Sequence, residues 1–285
     1  MYAMTCARVC LLLLLAAGRS ATGTAQAAYT CGLPVGPQYA ITATGRNSGH
    51  LLTIAVYNPA EAPCDIPAAV VLIPGTAGSQ TMICRIPAAR LPAGGMQQLV
   101  LRGESIAFGR PALGLNARPA PIETWILAAP VPVLAPNMPL PVGLIPVDTE
   151  LHRLYLRFPG TSIPIGFLPN FEARLPAAAP LLFALHARVK SAYDTAWDAG
   201  RIRLPFARDQ AYQIGLQQTM WYVFSVLENA PYTRAALRQS LLEQTERDQG
   251  LEYAAMPAAM QAYIDQSAEE IWGMIRMVAR GAGVE

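Results

Sequence analysis

Twenty-two of the 25 prolines in this chain fall between Pro34 and Pro180, and only Pro205, Pro231 and Pro257 follow. Proline locks φ and has no backbone N–H, so a stretch with about one every six or seven residues excludes long helices. The three late prolines stand 26 residues apart, a spacing that suits helix starts, where a proline in the first turn costs little. The sequence therefore predicts an α+β chain, with strands and loops in front and helices behind.

The first 27 residues predict a secretory signal. Arg8 supplies its positive start, Leu11 to Ala17 form a seven-residue apolar core, and Ala25-Gln26-Ala27 is a small-x-small cleavage site. Seven residues are far short of the roughly 20 that span a bilayer, and nothing after Ala28 is long and apolar enough to do so. Cys10 precedes the apolar core, which argues against lipid attachment. Export to the periplasm or the extracellular space is the expectation.

Loss of that segment removes Arg8, Arg19, Cys6 and Cys10, which takes the chain from 21 basic and 19 acidic side chains to 19 of each. A balanced surface offers no long-range attraction for nucleic acid or anionic lipid. Lys190 is the only lysine. Of the three remaining cysteines, two are expected to pair in an oxidising compartment. Cys64 and Cys84 are the expected disulfide, because each adjoins a strand-like run in one region. Cys31 is then left free or paired with another chain. Pairing of Cys31 with Cys64 or Cys84 stays open, since connectivity is not written in sequence.

Residues 28–117 predict an immunoglobulin-like β-sandwich. Tyr39 to Thr44 and Leu51 to Tyr57 alternate around the turn residues Arg46-Asn47-Ser48-Gly49. Runs at Ala68 to Ile73, Thr81 to Ile86 and Gln97 to Arg102 follow, with Pro74-Gly75 and Gly94-Gly95 between them. Residues 118–180 are rich in proline yet apolar, which predicts an extended segment packed on the domains rather than a polar linker. Within it, Leu151 to Phe158 alternates like one more half-buried strand. From 181 to 285 the period becomes helical. Stripes such as Leu182, Leu185 and Val189, or Leu216, Met220, Val223 and Leu227, predict four helices, enough for a small bundle.

Chemistry is sparse. His50, His152 and His186 stand in different elements, none at a paired-ligand spacing, so no metal site and no cofactor is expected. Gly103-Glu104-Ser105-Ile106-Ala107 has the first glycine of a nucleophile elbow and lacks the second. Gly75-Thr76-Ala77-Gly78-Ser79 fits a hairpin loop. The carboxylates Asp194 with Asp198, Glu243 with Glu246, and Glu269-Glu270 all fall on helical stripes, where pairs with arginine explain them.

The run Leu216-Gln217-Gln218-Thr219-Met220-Trp221 resembles the glutamine-x-alanine-aliphatic-tryptophan helix of bacterial thioester domains, secreted adhesin modules whose glutamine cross-links to a cysteine. Gln217 matches the glutamine, four residues before Trp221, while Thr219 and Met220 replace the alanine and the aliphatic residue. The resemblance implies an upstream cysteine near Gly103, where this chain has Ser105. Serine forms no thioester, so the resemblance implies a relative without the covalent chemistry. The alternative is a core Trp221 with Gln217 bonded to backbone.

Gln217, Trp221 and Ser105 are the candidate binding residues, and no catalytic residue is assigned. The expected function is non-enzymatic: binding, adhesion or envelope structure, with an unidentified protein or glycan as ligand. Two other readings stand beside it. One is a hydrolase with a site where sandwich and helices meet, drawn from Glu123, Asp148, Glu150, His152 and Ser105. The other is a thioester-type covalent adhesin.

Overall fold

A computed structural model describes residues 38–76, 78–128, 171–204, 206–228 and 232–284. The expected signal, Cys31 and the strand expected over 151–158 lie outside them. The class is α+β, with an antiparallel sheet in front and four helices behind. Two compact units divide the chain: one takes in every described strand together with Arg174–Phe183, the other Ala184–Glu285.

The strands are β1 (Gln38–Ala43), β2 (Ser48–Tyr57), β3 (Cys64–Ile66), β4 (Ala69–Ile73), β5 (Met82–Ile86), β6 (Ala89–Leu91), β7 (Met96–Ser105) and β8 (Ile126–Leu127). Six form one sheet in the order β1-β2-β7-β5-β4-β8, and β3 pairs with β6 in a separate ribbon. All pairs are antiparallel. The expected runs at 39–44, 51–57, 68–73, 81–86 and 97–102 correspond to β1, β2, β4, β5 and β7.

The ribbon and the β4–β5 pair are one hairpin in a single register. Cys64 faces Leu91 and Ile66 faces Ala89; the ladder then resumes with Ala69 facing Ile86 and Ile73 facing Met82. The two residue numbers of every pair add to the same total. What interrupts the ladder is Pro67 on one arm and Pro87 on the other, each without the N–H a rung needs. The outer part of the hairpin therefore leaves the sheet.

The inward face alternates as the sequence does: Leu52, Ile54 and Val56 on β2, Leu99 and Leu101 on β7, Met82, Cys84 and Ile86 on β5, Val71 and Ile73 on β4. Cys64, Ile66 and Leu91 of the ribbon join the same core, as does Trp125, whose Nε1 donates to the Ala120 carbonyl at 2.9 Å. A bulge between His50 and Leu52 lets both Leu51 and Leu52 be buried. Gly103 of β7 sits where β5 passes so close that a Cβ would stand 2.0 Å from the Ile83 carbonyl oxygen.

This register corrects the disulfide. Cys84 is free and buried, facing Val71 across the hairpin. Cys64 faces Leu91, seven residues nearer the open end. Cys64 is disulfide-bonded, and Cys84 is not its partner. Two cysteines beside strands of one hairpin meet only if their register numbers match, and these do not.

The helices are α1 (Leu175–Asp198), α2 (Arg208–Leu227), α3 (Arg234–Gln249) and α4 (Ala258–Gly281). Pro257 is the N-cap of α4, and α2 and α3 begin three residues after Pro205 and Pro231. The first helix starts six residues before 181, and Pro180 lies inside it. A proline early in a helix gives up only donors that lack partners or one rung, so the expected proline boundary moves. Thr233 caps α3, its hydroxyl accepting from the Ala236 N–H at 3.1 Å.

Helix α2 is buried on nearly every side, from Gly215 to Leu227, and α4 packs against both α2 and α3. Residues 118–128, expected as part of an extended segment, include a 3-10 turn at Ile122–Thr124 and the edge strand β8. No described helix is long and apolar enough to cross a membrane.

Candidate ligand groove

Helix α1 presents different chemistry to its two neighbours. Toward α4 it turns Arg188, Ser191, Ala192, Thr195 and Ala196, spaced three and four apart as one helical face requires. With Arg201 beyond the helix end and Met277, Val278 and Gly281 of α4, these line a solvent-open groove of about 350 Å³. Small residues make the room. A Cβ on Gly281 would rest 3.5 Å from that of Ala192, ordinary contact, so the helices approach closely while the groove stays open beside them. Arg188, Arg201, Ser191 and Thr195 make the polar part of the lining, and no lining residue is acidic. The Thr195 hydroxyl donates to the Ser191 carbonyl at 2.8 Å, which leaves its oxygen as an acceptor.

Toward α2 the same helix turns the chain's only lysine. Lys190 Nζ lies 2.8 Å and 3.1 Å from the two Asp194 carboxylate oxygens and 2.7 Å from the Tyr212 hydroxyl. The Tyr212 hydroxyl donates to Asp194 Oδ1 at 2.5 Å. All three ammonium protons thus have acceptors. Tyr193 and Trp197 wall the clasp, each edge-on to the Tyr212 ring with centroids 5.3 Å apart.

Burial pulls the Lys190 pKa down, but the hydrogen bonds to Asp194 and Tyr212 and the Asp194 charge outweigh it and hold the amine above its ordinary range. Burial, then the Asp194 hydrogen bond, raise Tyr212. At neutral pH the amine is an ammonium and the phenol is neutral. A protonated amine with every donor occupied is neither nucleophile nor base. The clasp positions α1 against α2, and the open chemistry lies on the other face.

Of the residues the sequence singled out, Gln217 and Trp221 lie one turn apart on α2, both buried. Trp221 packs edge-on against Tyr232 at 6.3 Å, and Tyr232 donates to Gln218 Oε1 at 2.5 Å. Ser105 ends β7 in the strand unit, buried, its hydroxyl 3.5 Å from the Thr81 carbonyl. The structure therefore places Ser105 in one unit and Gln217 with Trp221 in the other. Glu123 is half-buried in the 3-10 turn, while Asp148, Glu150 and His152 lie outside the described residues.

The helical carboxylates are held structurally. Glu269 pairs with Arg234, Glu243 accepts from Gln239 at 3.0 Å, and Glu246 accepts from the Tyr253 N–H at 2.9 Å. Asp194 pairs with Lys190 at 2.8 Å rather than with an arginine. Among the described residues, no group of three His, Cys, Asp or Glu could hold a metal ion.

Sequence reasoning passed over Arg188, Ser191, Thr195 and Arg201. Their signal is a polar stripe with alanines, one position from the apolar stripe of α1. The uniqueness of Lys190 was visible, but Tyr212 lies 22 residues away and completes the clasp only through the fold. No protein-family model, curated protein or solved structure matches the chain.

Proposed function

We propose that the chain is an exported, non-enzymatic binding protein that takes its ligand in the α1–α4 groove. On this reading the six-stranded sheet and the β3–β6 ribbon are two layers of a reduced immunoglobulin-like sandwich, and the helical unit does the binding. One observation carries it: an open groove with hydrogen-bond donors on one wall, Met277 and Val278 on the other, and a volume at the small end of ligand sites. Donors that orient a ligand beside an apolar wall serve capture.

The test is native mass spectrometry of the full chain incubated with a pooled small-molecule and glycan extract, beside Ser191→Trp. Ser191 is exposed at the rim, so an indole there covers the groove without entering the helix contact. Adducts on the parent that Ser191→Trp loses, with circular dichroism unchanged, are the expected result. A parent without adducts, or a variant that keeps them, overturns the proposal.

A further inference from the structure

Apart from the groove, we infer that the loop leaving β7 docks on an anionic lipid surface. Leu115 enters the headgroup layer, and Arg46 and Arg118 meet its phosphates. Of the sixteen residues 106–121, only Arg110, Asn116 and Arg118 have polar side chains, whereas connecting loops are ordinarily polar. Two of the apolar ones reach solvent: Leu115 is 71% exposed and Phe108 37%, while Leu113 between them is buried.

The tip is held in place. The Ala117 N–H donates to the Gly114 carbonyl at 2.9 Å, closing a four-residue turn. Asn116, third in that turn, has a φ of 61°, the left-handed region that asparagine tolerates. Its N–H donates to the Ala43 carbonyl at 2.9 Å, and the Ala43 N–H donates to the Ala117 carbonyl at 3.1 Å. The turn is thereby tied to the end of β1. Leu115 is its second residue, packed so closely on Gly45 that a Cβ there would stand 3.4 Å from the Leu115 backbone nitrogen. The fold thus presents this leucine to solvent on a fixed backbone.

Charge completes the surface. The β1–β2 and β4–β5 connections and residues 106–121 share one end of the sheet, and none of the three contains Asp or Glu. Arg46 follows Gly45 and Arg118 follows the turn. Both are exposed, and neither has an acidic partner among the described residues. Glu104, on β7 opposite Ser48, is half-buried. A protein partner would ask for about 20–30 residues a side, far more than this tip offers. A headgroup layer asks for no matched pocket: guanidinium meets phosphate, and the leucine lies at the acyl boundary. The chain as a whole is near charge balance, so the attraction acts on contact, within a screening length of about 8 Å.

Vesicle co-sedimentation of the full chain tests this, on phosphatidylcholine alone and on an equal mixture with phosphatidylglycerol. The parent should prefer the anionic vesicles about twentyfold, and Arg46→Gln with Arg118→Gln should abolish that preference, about fivefold per cation. Leu115→Ser should weaken binding to the anionic vesicles about tenfold. All three side chains are exposed, so circular dichroism should not change. Residues 1–27 are common to parent and variants, so the differences read the loop. A parent that binds both vesicles alike overturns the proposal. So does a Leu115→Ser chain that binds as the parent does, the outcome expected if the arginines serve an acidic polypeptide instead. None of these substitutions touches the groove, so the adduct experiment with Ser191→Trp stands or falls separately.

Discussion

A Cβ on Gly215 would stand 2.3 Å from the Tyr193 hydroxyl and 3.0 Å from Leu204 Cδ1. Helix propensity alone favours alanine over glycine by about 1 kcal/mol at such an interior position. Overpacking a core site costs about 1–3 kcal/mol, and Tyr193 has no room to give, being fully buried. The clash decides the sign. Gly215→Ala should destabilise the protein by about 1–2 kcal/mol in urea titration; a variant as stable as the parent would show that Tyr193 moves freely. The same tyrosine ring walls the Lys190 clasp, so the glycine sets the spacing of α1 and α2 from which the clasp is built. Nothing local marks Gly215 for this role, because Tyr193 is 22 residues away in sequence. A lone glycine in a helical stripe reads as a weakness until its neighbour is known.

At the scale of elements, the corner between β3–β6 and β4–β5 has two causes of different size. Pro67 and Pro87 forbid rungs, whereas Ile66 and Leu91 hold the ribbon in the core. Replacing proline by alanine acts mostly through the unfolded chain and costs about 0.4–1 kcal/mol, while truncating a buried leucine costs about 2–5 kcal/mol. Leu91→Ala should therefore lower the urea midpoint several-fold more than Pro87→Ala, and equal shifts would make the rings, not the burial, the fastener.

The same comparison explains what the sequence made legible. Strands of five residues or more announce themselves, β1 and β2 by alternation and β4, β5 and β7 as runs bounded by turn residues. The pieces β3, β6 and β8 are two or three residues long, too short for any period, and only their partners define them. Helices α2, α3 and α4 were legible from stripes and late prolines. The start of α1 was hidden because a proline near a helix N-terminus is tolerated and a proline elsewhere is not. The candidate groove was passed over, although part of its signal stands in the sequence. The Arg188, Ser191 and Thr195 spacing is periodic, but that it faces a groove rather than open solvent depends on Met277 and Gly281, some eighty residues on.

Across the whole molecule, the groups that resist ionisation are unequally shared between the units, and this gives the two units different responses to alkali. In the strand unit, burial and then the Glu104 charge push the Cys84 thiol up from its ordinary 9.0. In the helical unit, burial pushes Tyr193 and Tyr232 up from 10.0, burial and the Asp194 hydrogen bond do the same for Tyr212, and the partners of Lys190 hold it above 10.5 despite burial. The sign is common to all five. Each folded value lies above the unfolded one, so the folded chain keeps a proton that the unfolded chain has lost. Stability is full below the unfolded pKa and falls as pH rises toward the folded one.

Among the described residues, one such group sets the slope in the strands, from about pH 9, at no more than about 1.4 kcal/mol per pH unit. Four set it in the helices, from about pH 10, and the decline there is steeper. Four tryptophans report on this: Trp125 in the strand unit, Trp197, Trp221 and Trp272 in the helical unit. In urea titrations of 5-fluorotryptophan-labelled protein followed by fluorine NMR, the Trp125 midpoint should begin to fall near pH 9. The other three should hold until about pH 10 and then fall more steeply. Four midpoints that decline together from pH 9 would mean that the ionisations are not distributed as the packing of Cys84, Tyr193, Tyr212 and Tyr232 requires.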